Sequence, residues 1–376
     1  MRKMKKTWND MHTPLEIKTV EVALASNGYP VYLGCGLLSE SSLWDRHLGA
    51  GKTLIVSNDV VAPLYLEQLK SALGRKVEIH VIPDGEPEKT VDTWFGIINR
   101  LVSMQAQRDA NVIALGGGVV GDITGFAAAC YMRGIRFLQA PTTLLAQVDA
   151  SVGGKTAINH QKGKNLVGAF HQPAAVVIDS DTLASLPERE FNAGLAEVVK
   201  YGAITDVDFF EWLENNVTAV NERQNIALNY LIYESVKNKA AIVAKDEKES
   251  GIRALLNFGH SFGHALESET RYHRFLHGEA VSIGMVTAAL LSETRGICDH
   301  GTASRLAALL RAFGLPVMQP ADVPISALVE ALTLDKKALA AGLRLILLNA
   351  IGDALIDSDS HQDEIIAAME KNRDSP

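Results

Sequence analysis

The stretch Asn111-Val-Ile-Ala-Leu-Gly116-Gly-Gly-Val-Val-Gly121-Asp-Ile-Thr-Gly-Phe-Ala-Ala-Ala-Cys130-Tyr131 decides how the chain folds. Asn111–Leu115 is short and apolar, the pattern of a buried strand. Gly116–Asp122 reads as a glycine-rich turn and Ile123–Tyr131 as a helix. Gly116-x-Gly118-x-x-Gly121 thus joins a strand to a helix. There, backbone N–H groups at a helix N-terminus can hold a pyrophosphate. Alone the pattern also fits any tight strand–helix turn. No acidic residue ends the next strand, as the usual dinucleotide fingerprint requires.

Working outward, β-rich runs alternate with helical ones. Val20–Leu24, Val31–Gly34, Thr53–Ser57, Val77–Ile82, Arg136–Ala140 and Ala174–Asp179 read as strands. Val60–Leu73 and Val91–Met104 read as helices. This alternation predicts a parallel α/β sheet. After Asp181 the pattern changes. Ser185-Leu186-Pro187-Glu188 reads as a capping box with an early proline, opening a helix. Helical periodicity then spans 188–203, 207–216, 223–244, 257–269, 277–294 and 301–313, where Gly314-Leu315-Pro316 stops it. Leu343–Leu348 and Ala354–Ile356 read as a hairpin. The expectation is an α/β domain over 1–185 and a mainly helical domain over 186–376.

The 376 residues suffice for two such domains, and 47% hydrophobic content supports large cores. The net charge of −8 implies no nucleic-acid surface, and no apolar run reaches membrane-spanning length. An anionic substrate must therefore be met by a local cluster of Lys and Arg. The three cysteines, Cys35, Cys130 and Cys298, lie far apart and suit a reducing compartment. Met1–Lys6 is basic but no apolar segment follows, so it is not a secretory signal. A soluble cytoplasmic protein with a disordered N-terminal dozen residues is expected.

Several polar clusters stand out. Asp84, Glu86 and Lys89 follow a strand, where they can take a ribose and an amide. Pro141-Thr142-Thr143 opens another strand-end turn, followed by Asp149, Gly153-Gly154-Lys155 and Gly163-Lys164-Asn165. Lysines in glycine loops suit a phosphate, because the backbone approaches closely and the ammonium supplies charge. Glu197 and Lys200 share one face of a helix amid apolar neighbours, and a buried carboxylate needs a cation. Arg253, Asn257, His260, His264 and His277 crowd one segment. His260 and His264 share a helical face. Two imidazoles and a carboxylate make a three-ligand metal site with one open position, the catalytic arrangement for zinc. Spacing alone leaves open which histidines bind.

From Tyr29 to Ile356 the chain resembles the 3-dehydroquinate synthases, members of the sugar phosphate cyclase superfamily. The resemblance rests on long strings: Gly-Gly-Gly-Val-Val-Gly-Asp (116–122), Tyr-Met-Arg-Gly (131–134), Pro-Thr-Thr-Leu-Leu-Ala-Gln-Val-Asp (141–149) and Val-Gly-Gly-Lys-Thr-Ala-Ile-Asn (152–159). Gly-Leu-Ala-Glu-Val-Val-Lys-Tyr-Gly (194–202), Leu-Asn-Phe-Gly-His-Ser-Phe-Gly-His-Ala-Leu-Glu (256–267) and His-Gly-Glu-Ala-Val (277–281) extend it. It implies a Rossmann-like NAD-binding domain, a helical metal-binding domain, an active site between them, one zinc or cobalt ion and a homodimer. Implied metal ligands are Glu197, His260 and His277, with His264 left to catalysis. Implied substrate contacts are Asp149, Lys155, Lys164, Asn165, Lys200, Lys239, Arg253, Asn257, His264 and one of Lys336 and Lys337. Among these, His264, Lys155, Lys200, Arg253 and Asn257 carry the catalytic roles. Arg133 is implied to reach a phosphate across the dimer interface. NAD contacts implied are Asp84, Glu86, Lys89, Gly118, Val119, Val120, Gly121, Asp122, Thr142, Thr143, Lys155, Lys164 and Thr182.

The implied reaction turns 3-deoxy-D-arabino-heptulosonate 7-phosphate into 3-dehydroquinate and phosphate. The metal orients a hydroxyl, NAD takes and returns a hydride, phosphate is eliminated, and an intramolecular aldol step closes the ring. Related cyclases that make 2-deoxy-scyllo-inosose or valiolone share the NAD and metal motifs but differ where a carboxylate is bound. Arg253, Asn257 and the Lys336/Lys337 pair favour the first reaction. A metal-dependent polyol dehydrogenase needs no phosphate-neutralising lysines, so Lys155, Lys164, Lys200 and Lys239 argue against it.

Overall fold

The computed structural model describes residues 17–25, 28–249, 251–338 and 343–373, with side chains throughout except at 333–338. The disorder expected of the first dozen residues lies outside these. The chain divides into two compact units, residues 1–185 with 223–236, and residues 186–222 with 237–376. Residues 223–236 thus depart from the helical domain expected over 186–376.

The first unit contains β1 (Lys18–Val22), β2 (Tyr29–Gly34), α1 (Ser41–His47), β3 (Thr53–Asn58), α2 (Ala62–Leu73), β4 (Val77–Ile82) and α3 (Val91–Ser103). It continues through β5 (Asn111–Gly116), α4 (Gly118–Cys130), β6 (Arg136–Pro141), β7 (Lys155–His160), β8 (Gly163–Phe170) and β9 (Ala175–Asp179). Seven strands form one sheet in the order β1-β2-β9-β6-β5-β3-β4, parallel except at β1–β2. Its central strands alternate between two buried faces, as sheets covered on both sides do. Leu54, Val56, Val112 and Ala114 face Ile97, Ile123 and Phe126 of α3 and α4. Ile55, Ile113 and Leu115 face Trp44, Leu69 and Leu73 of α1 and α2.

From β3 the chain steps outward to β4, then returns to β5 on the other side of β3. The carboxyl ends of β3 and β5 are therefore a topological switch point, where open α/β sheets bind ligands. Two local readings change here. Helix α4 begins at Gly118, so Gly118–Asp122 form its first turn and are not a loop. Residues 155–170 form the antiparallel hairpin β7–β8, where the sequence suggested lysine-bearing glycine loops. Thr156, Ala157 and Ile158 are buried, and that burial outweighs the turn signals of the flanking glycines.

The second unit carries α5 (Glu188–Thr205), α6 (Val207–Asn215), α7 (Val217–Asn221), the C-terminal part of α8 (Asn225–Lys245), α9 (His260–Glu269), α10 (His277–Thr294) and α11 (Thr302–Ala312). Beyond these lie α12 (Ile325–Ala338), the hairpin β10 (Leu345–Ala350) and β11 (Asp353–Asp357), and α13 (Gln362–Lys371). Helix α10 is buried almost all round, the mark of a central helix. The expected capping box at Ser185 is absent. Residues 180–185 wind into a 3-10 turn, Ser185 Oγ donates to Thr182 O at 3.2 Å, and α5 starts after Pro187 without a side-chain cap. The helix expected over 257–269 begins only at His260, because Gly259 adopts φ 79° and breaks the preceding turn. Helices α12 and α13 carried no helical assignment in the sequence reading. Among the described residues no helix is long and apolar enough to cross a membrane, and all three cysteines are free.

Candidate active site

Three helices of the second unit converge on one carboxylate. Helix α5 supplies Glu197 and Lys200, α9 opens with His260, and α10 opens with His277. Close backbone approach makes this convergence possible. A Cβ at Gly278 would lie 1.8 Å from the Ala193 carbonyl oxygen of α5, and one at Gly284 would lie 2.0 Å from the Gly259 carbonyl oxygen. Glu197 is 1% exposed, and no hydrogen-bond donor meets its Oε1. Lys200 Nζ pairs with Oε2. Oε1 faces His260 Nε2 at 3.5 Å and His277 Nε2 at 3.7 Å. One ligand atom from each of Glu197, His260 and His277 lies within 4.8 Å of the others.

The donor set fits a zinc-like ion: a buried carboxylate whose Oε1 no hydrogen-bond donor meets, and two imidazoles directing the same ring nitrogen at it. His260 Nδ1 lies 3.2 Å from Phe258 O, which can only accept, so Nδ1 carries the proton and Nε2 its lone pair. Burial first, then the Lys200 charge, then His277 and His264, push the His260 imidazole well below its usual range. It is thus neutral, the form that binds a metal. Glu267, which the sequence reading left unassigned, is 3% exposed and has Oε2 3.4 Å from His277 Nδ1. It orients the second imidazole in the same way.

His264 stands apart from this corner. It is exposed, with Nε2 4.0 Å from Glu267 Oε2, and its ring lies 5.4 Å from that of His260 and 5.8 Å from that of His277. A second group of His264, Glu267 and His277 also meets metal-ligand spacing. The choice that spacing left open therefore rests on burial: the more enclosed group is the one built on Glu197.

Lys200, Lys239 and Arg253 are all buried in this unit. The Arg253 backbone N–H donates to Asp246 Oδ2 at 3.0 Å, and its guanidinium donates to the Glu247 carbonyl. Asn257 Nδ2 donates to Glu249 Oε1 at 3.1 Å. The side chains of Lys336 and Lys337 lie outside the described residues.

In the first unit the polar groups gather at the switch point. Asn58, at the end of β3, donates to Asp84 and accepts from Val61 N at 2.8 Å. Asn159 donates to Glu86 Oε1 at 2.7 Å. Lys89 is buried and donates to Asp122 and Asn165. Gly118, Val119, Val120 and Gly121 form the first turn of α4, whose leading N–H groups are left for a ligand by helix geometry. Thr142 N donates to Gly116 O at 3.0 Å, while its buried Oγ1 has no partner. Thr143 Oγ1 accepts from Ala146 N at 3.2 Å. Thr182 is buried, donating to Asp179 O and accepting from Gln147 Nε2 at 3.0 Å. Paired carboxylates, a partnerless buried hydroxyl and a helix N-terminus at a switch point fit a dinucleotide.

Asp149 is half-buried in a π-helical turn over Ala146–Ala150. Lys155 is exposed at the start of β7, and Lys164 is half-buried in β8. Arg133 is exposed and, like Met132 before it, has positive φ, 67° and 50°. Left-handed non-glycine residues cost about 1–3 kcal/mol each and gather at functional sites. Sequence reasoning gave Asn58, Gln147, Asn159 and Glu267 no role. Their partners lie distant in sequence or across a turn, and no spacing rule links them.

A family profile described as 3-dehydroquinate synthase N-terminal matches residues 79–193, and one described as 3-dehydroquinate synthase C-terminal matches residues 194–338. The chain belongs to the 3-dehydroquinate synthase family. A 3-dehydroquinate synthase of Teredinibacter turnerae is 50% identical over 345 residues, 91% of this chain and 96% of that one. One of Methylococcus capsulatus is 50% identical over 341 residues, 90% and 95% of the two chains. Among solved structures, the 2-epi-5-epi-valiolone synthase of Streptomyces hygroscopicus, with NAD+ and Zn2+ bound, aligns with TM-score 0.85 at 33% identity. That alignment covers 93% of this chain and 98% of the other. The chain accordingly carries a parallel-sheet α/β unit and a mainly helical unit, the fold class expected from the sequence.

Proposed function

We propose that this chain is a carbon–oxygen lyase that converts 3-deoxy-D-arabino-heptulosonate 7-phosphate to 3-dehydroquinate and phosphate, a step toward the aromatic amino acids. The observation that carries the reading is the buried Glu197 carboxylate, paired with Lys200 at Oε2 and faced by two imidazoles at Oε1. When bound, a divalent metal supplies Lewis-acid polarisation of a substrate hydroxyl, and NAD supplies a reversible hydride acceptor.

The protein's own groups do the rest. Glu197, His260 and His277 hold the ion. Asp84 and Glu86 accept from ribose hydroxyls. The α4 N-terminus at Gly118–Gly121 takes the pyrophosphate. Lys89, Asp122, Thr142, Thr143 and Thr182 frame the remaining cofactor edge. Lys155, Lys164, Lys200, Lys239 and Arg253 neutralise phosphate and carboxylate, each charge-assisted bond contributing about 1.5–3 kcal/mol. Asp149 and Asn165 hold hydroxyls, and Asn257 stands with Arg253 at the substrate carboxylate. His264 is exposed enough to pass a proton at Nε2. Arg133 serves the partner copy of a homodimer, a role its strained exposed backbone supports. The reading keeps the enzyme in the cytoplasm.

Substrate and product share one oxidation level, so NAD must be regenerated within each turnover. With substoichiometric NAD, phosphate should accumulate in step with product while free NADH does not. A polyol dehydrogenase would accumulate NADH one-for-one and release no phosphate, and that result would overturn the reading.

A further inference from the structure

Asn159 occupies an irregular position in the β7–β8 hairpin, where the pairing register shifts between Ile158 and His160. Bulges of this kind release a backbone group from the ladder and re-aim a side chain. Here the Asn159 N–H leaves the hairpin and donates to Lys89 O at 2.7 Å. Its side chain is used at both ends: Nδ2 donates to Glu86 Oε1 at 2.7 Å, and Oδ1 accepts from Asn165 N at 2.9 Å. Asn165 is left-handed at φ 56°, and its own Oδ1 accepts from Lys89 Nζ. One asparagine therefore joins the strand-end loop bearing Glu86 and Lys89 to the hairpin bearing Lys155, Lys164 and Asn165.

We infer that Asn159 is a positioning residue that orients the Glu86 carboxylate for the cofactor and ties it to the hairpin. The inference rests on the proposed NAD site. Neither carboxamide atom needs to touch a ligand. Nδ2 occupies Oε1 of Glu86 and so leaves Oε2 for a ribose hydroxyl. A carboxylate on a half-exposed loop samples several rotamers, and a fixed donor removes that freedom before binding. Aspartate could not replace the asparagine, because it offers no donor and would face Glu86 with a like charge.

The test is NAD+ affinity by calorimetry on the full metal-loaded chain, for wild type, N159A, E86A and the double variant. N159A should weaken NAD+ binding roughly tenfold, the scale of one hydrogen bond to a charged group. In the E86A background the same change should cost no more than about twofold, since residues acting through one contact are not additive. N159D keeps the acceptor for Asn165 N–H but should bind NAD+ at least as weakly as N159A. Circular dichroism and the thermal midpoint check that the variants are folded. If N159A and E86A add fully, Asn159 supports the hairpin alone and the inference falls. Wild-type affinity in N159D would overturn it as well. Wild-type affinity in E86A would instead remove Glu86 from the cofactor site, and the inference with it.

Discussion

Glu197 carries a negative charge into the interior of the second unit, where an uncompensated charge is costly. One ammonium on Oε2 and two imidazoles facing Oε1 make the pocket a cation site in the chemical sense. Truncating Glu197, His260 or His277 to Ala should abolish binding of one zinc-like ion per chain, read by metal analysis of the purified variants. His264→Ala should keep the ion and lose turnover by ~10²–10⁴-fold, the usual contribution of a proton-transfer group. Metal retained in all three ligand variants, or lost in the His264 variant, would redraw the site.

At the scale of elements, the metal corner depends on how closely α5, α9 and α10 approach. Gly284 sits against the Gly259 carbonyl with no room for a methyl group, and the obstacle is backbone that a rotamer change cannot clear. Gly284→Ala must therefore push α10 away from α9. Overpacking of this kind costs about 1–3 kcal/mol. It should lower the urea midpoint and weaken metal binding together, although residue 284 is itself no ligand. A variant that loses stability while holding metal with wild-type affinity would show that the helix contact does not set the ligand geometry.

At the scale of the whole molecule, burial holds several imidazoles neutral. His171 is pushed down by burial against a weaker opposing bond from Ile135. His80 is lowered by burial and then Arg100, and His47 by burial and then Arg46 and Arg136. Their folded pKa values lie below the unfolded 6.5, so below that pH the unfolded chain binds more protons. Stability is then lost as pH falls. Asp179, raised by burial from 3.8, works in the opposite sense but from a more acidic starting point. The metal-free urea midpoint should fall from about pH 7.5 to about pH 5.5, and a flat profile would contradict these directions. Arg133 is tested on the same scale. Mixed oligomers of Arg133→Ala with Lys155→Ala chains should regain part of the activity, because one site then holds both groups intact. No recovery in verified mixed oligomers would confine Arg133 to its own chain.

The sequence by itself determined the α/β character of the first half and the residue types that chemistry needs. Buried parallel strands such as Asn111–Leu115 are continuous apolar runs, and a 3.6-residue period marks amphipathic helices such as α3 without tertiary information. It also put His260, His277 and Glu197 among the candidates, since imidazoles and carboxylates amid apolar neighbours are conspicuous. Tertiary structure decided what depends on contacts distant in sequence. The β7–β8 hairpin exists because Thr156, Ala157 and Ile158 are buried, despite glycines that signal loops locally. Ser185 lost its capping role to the 3-10 turn that ends with it. His264 shares a helical face with His260, and His277 of α10 lies near both rings, yet only the approach of α5 distinguishes them, by setting Glu197 Oε1 3.5 Å from His260 Nε2. Asn159 and Glu267 escaped notice for the same reason: a polar residue becomes a positioning residue through the group the fold sets beside it, and pattern along the chain does not carry that distance.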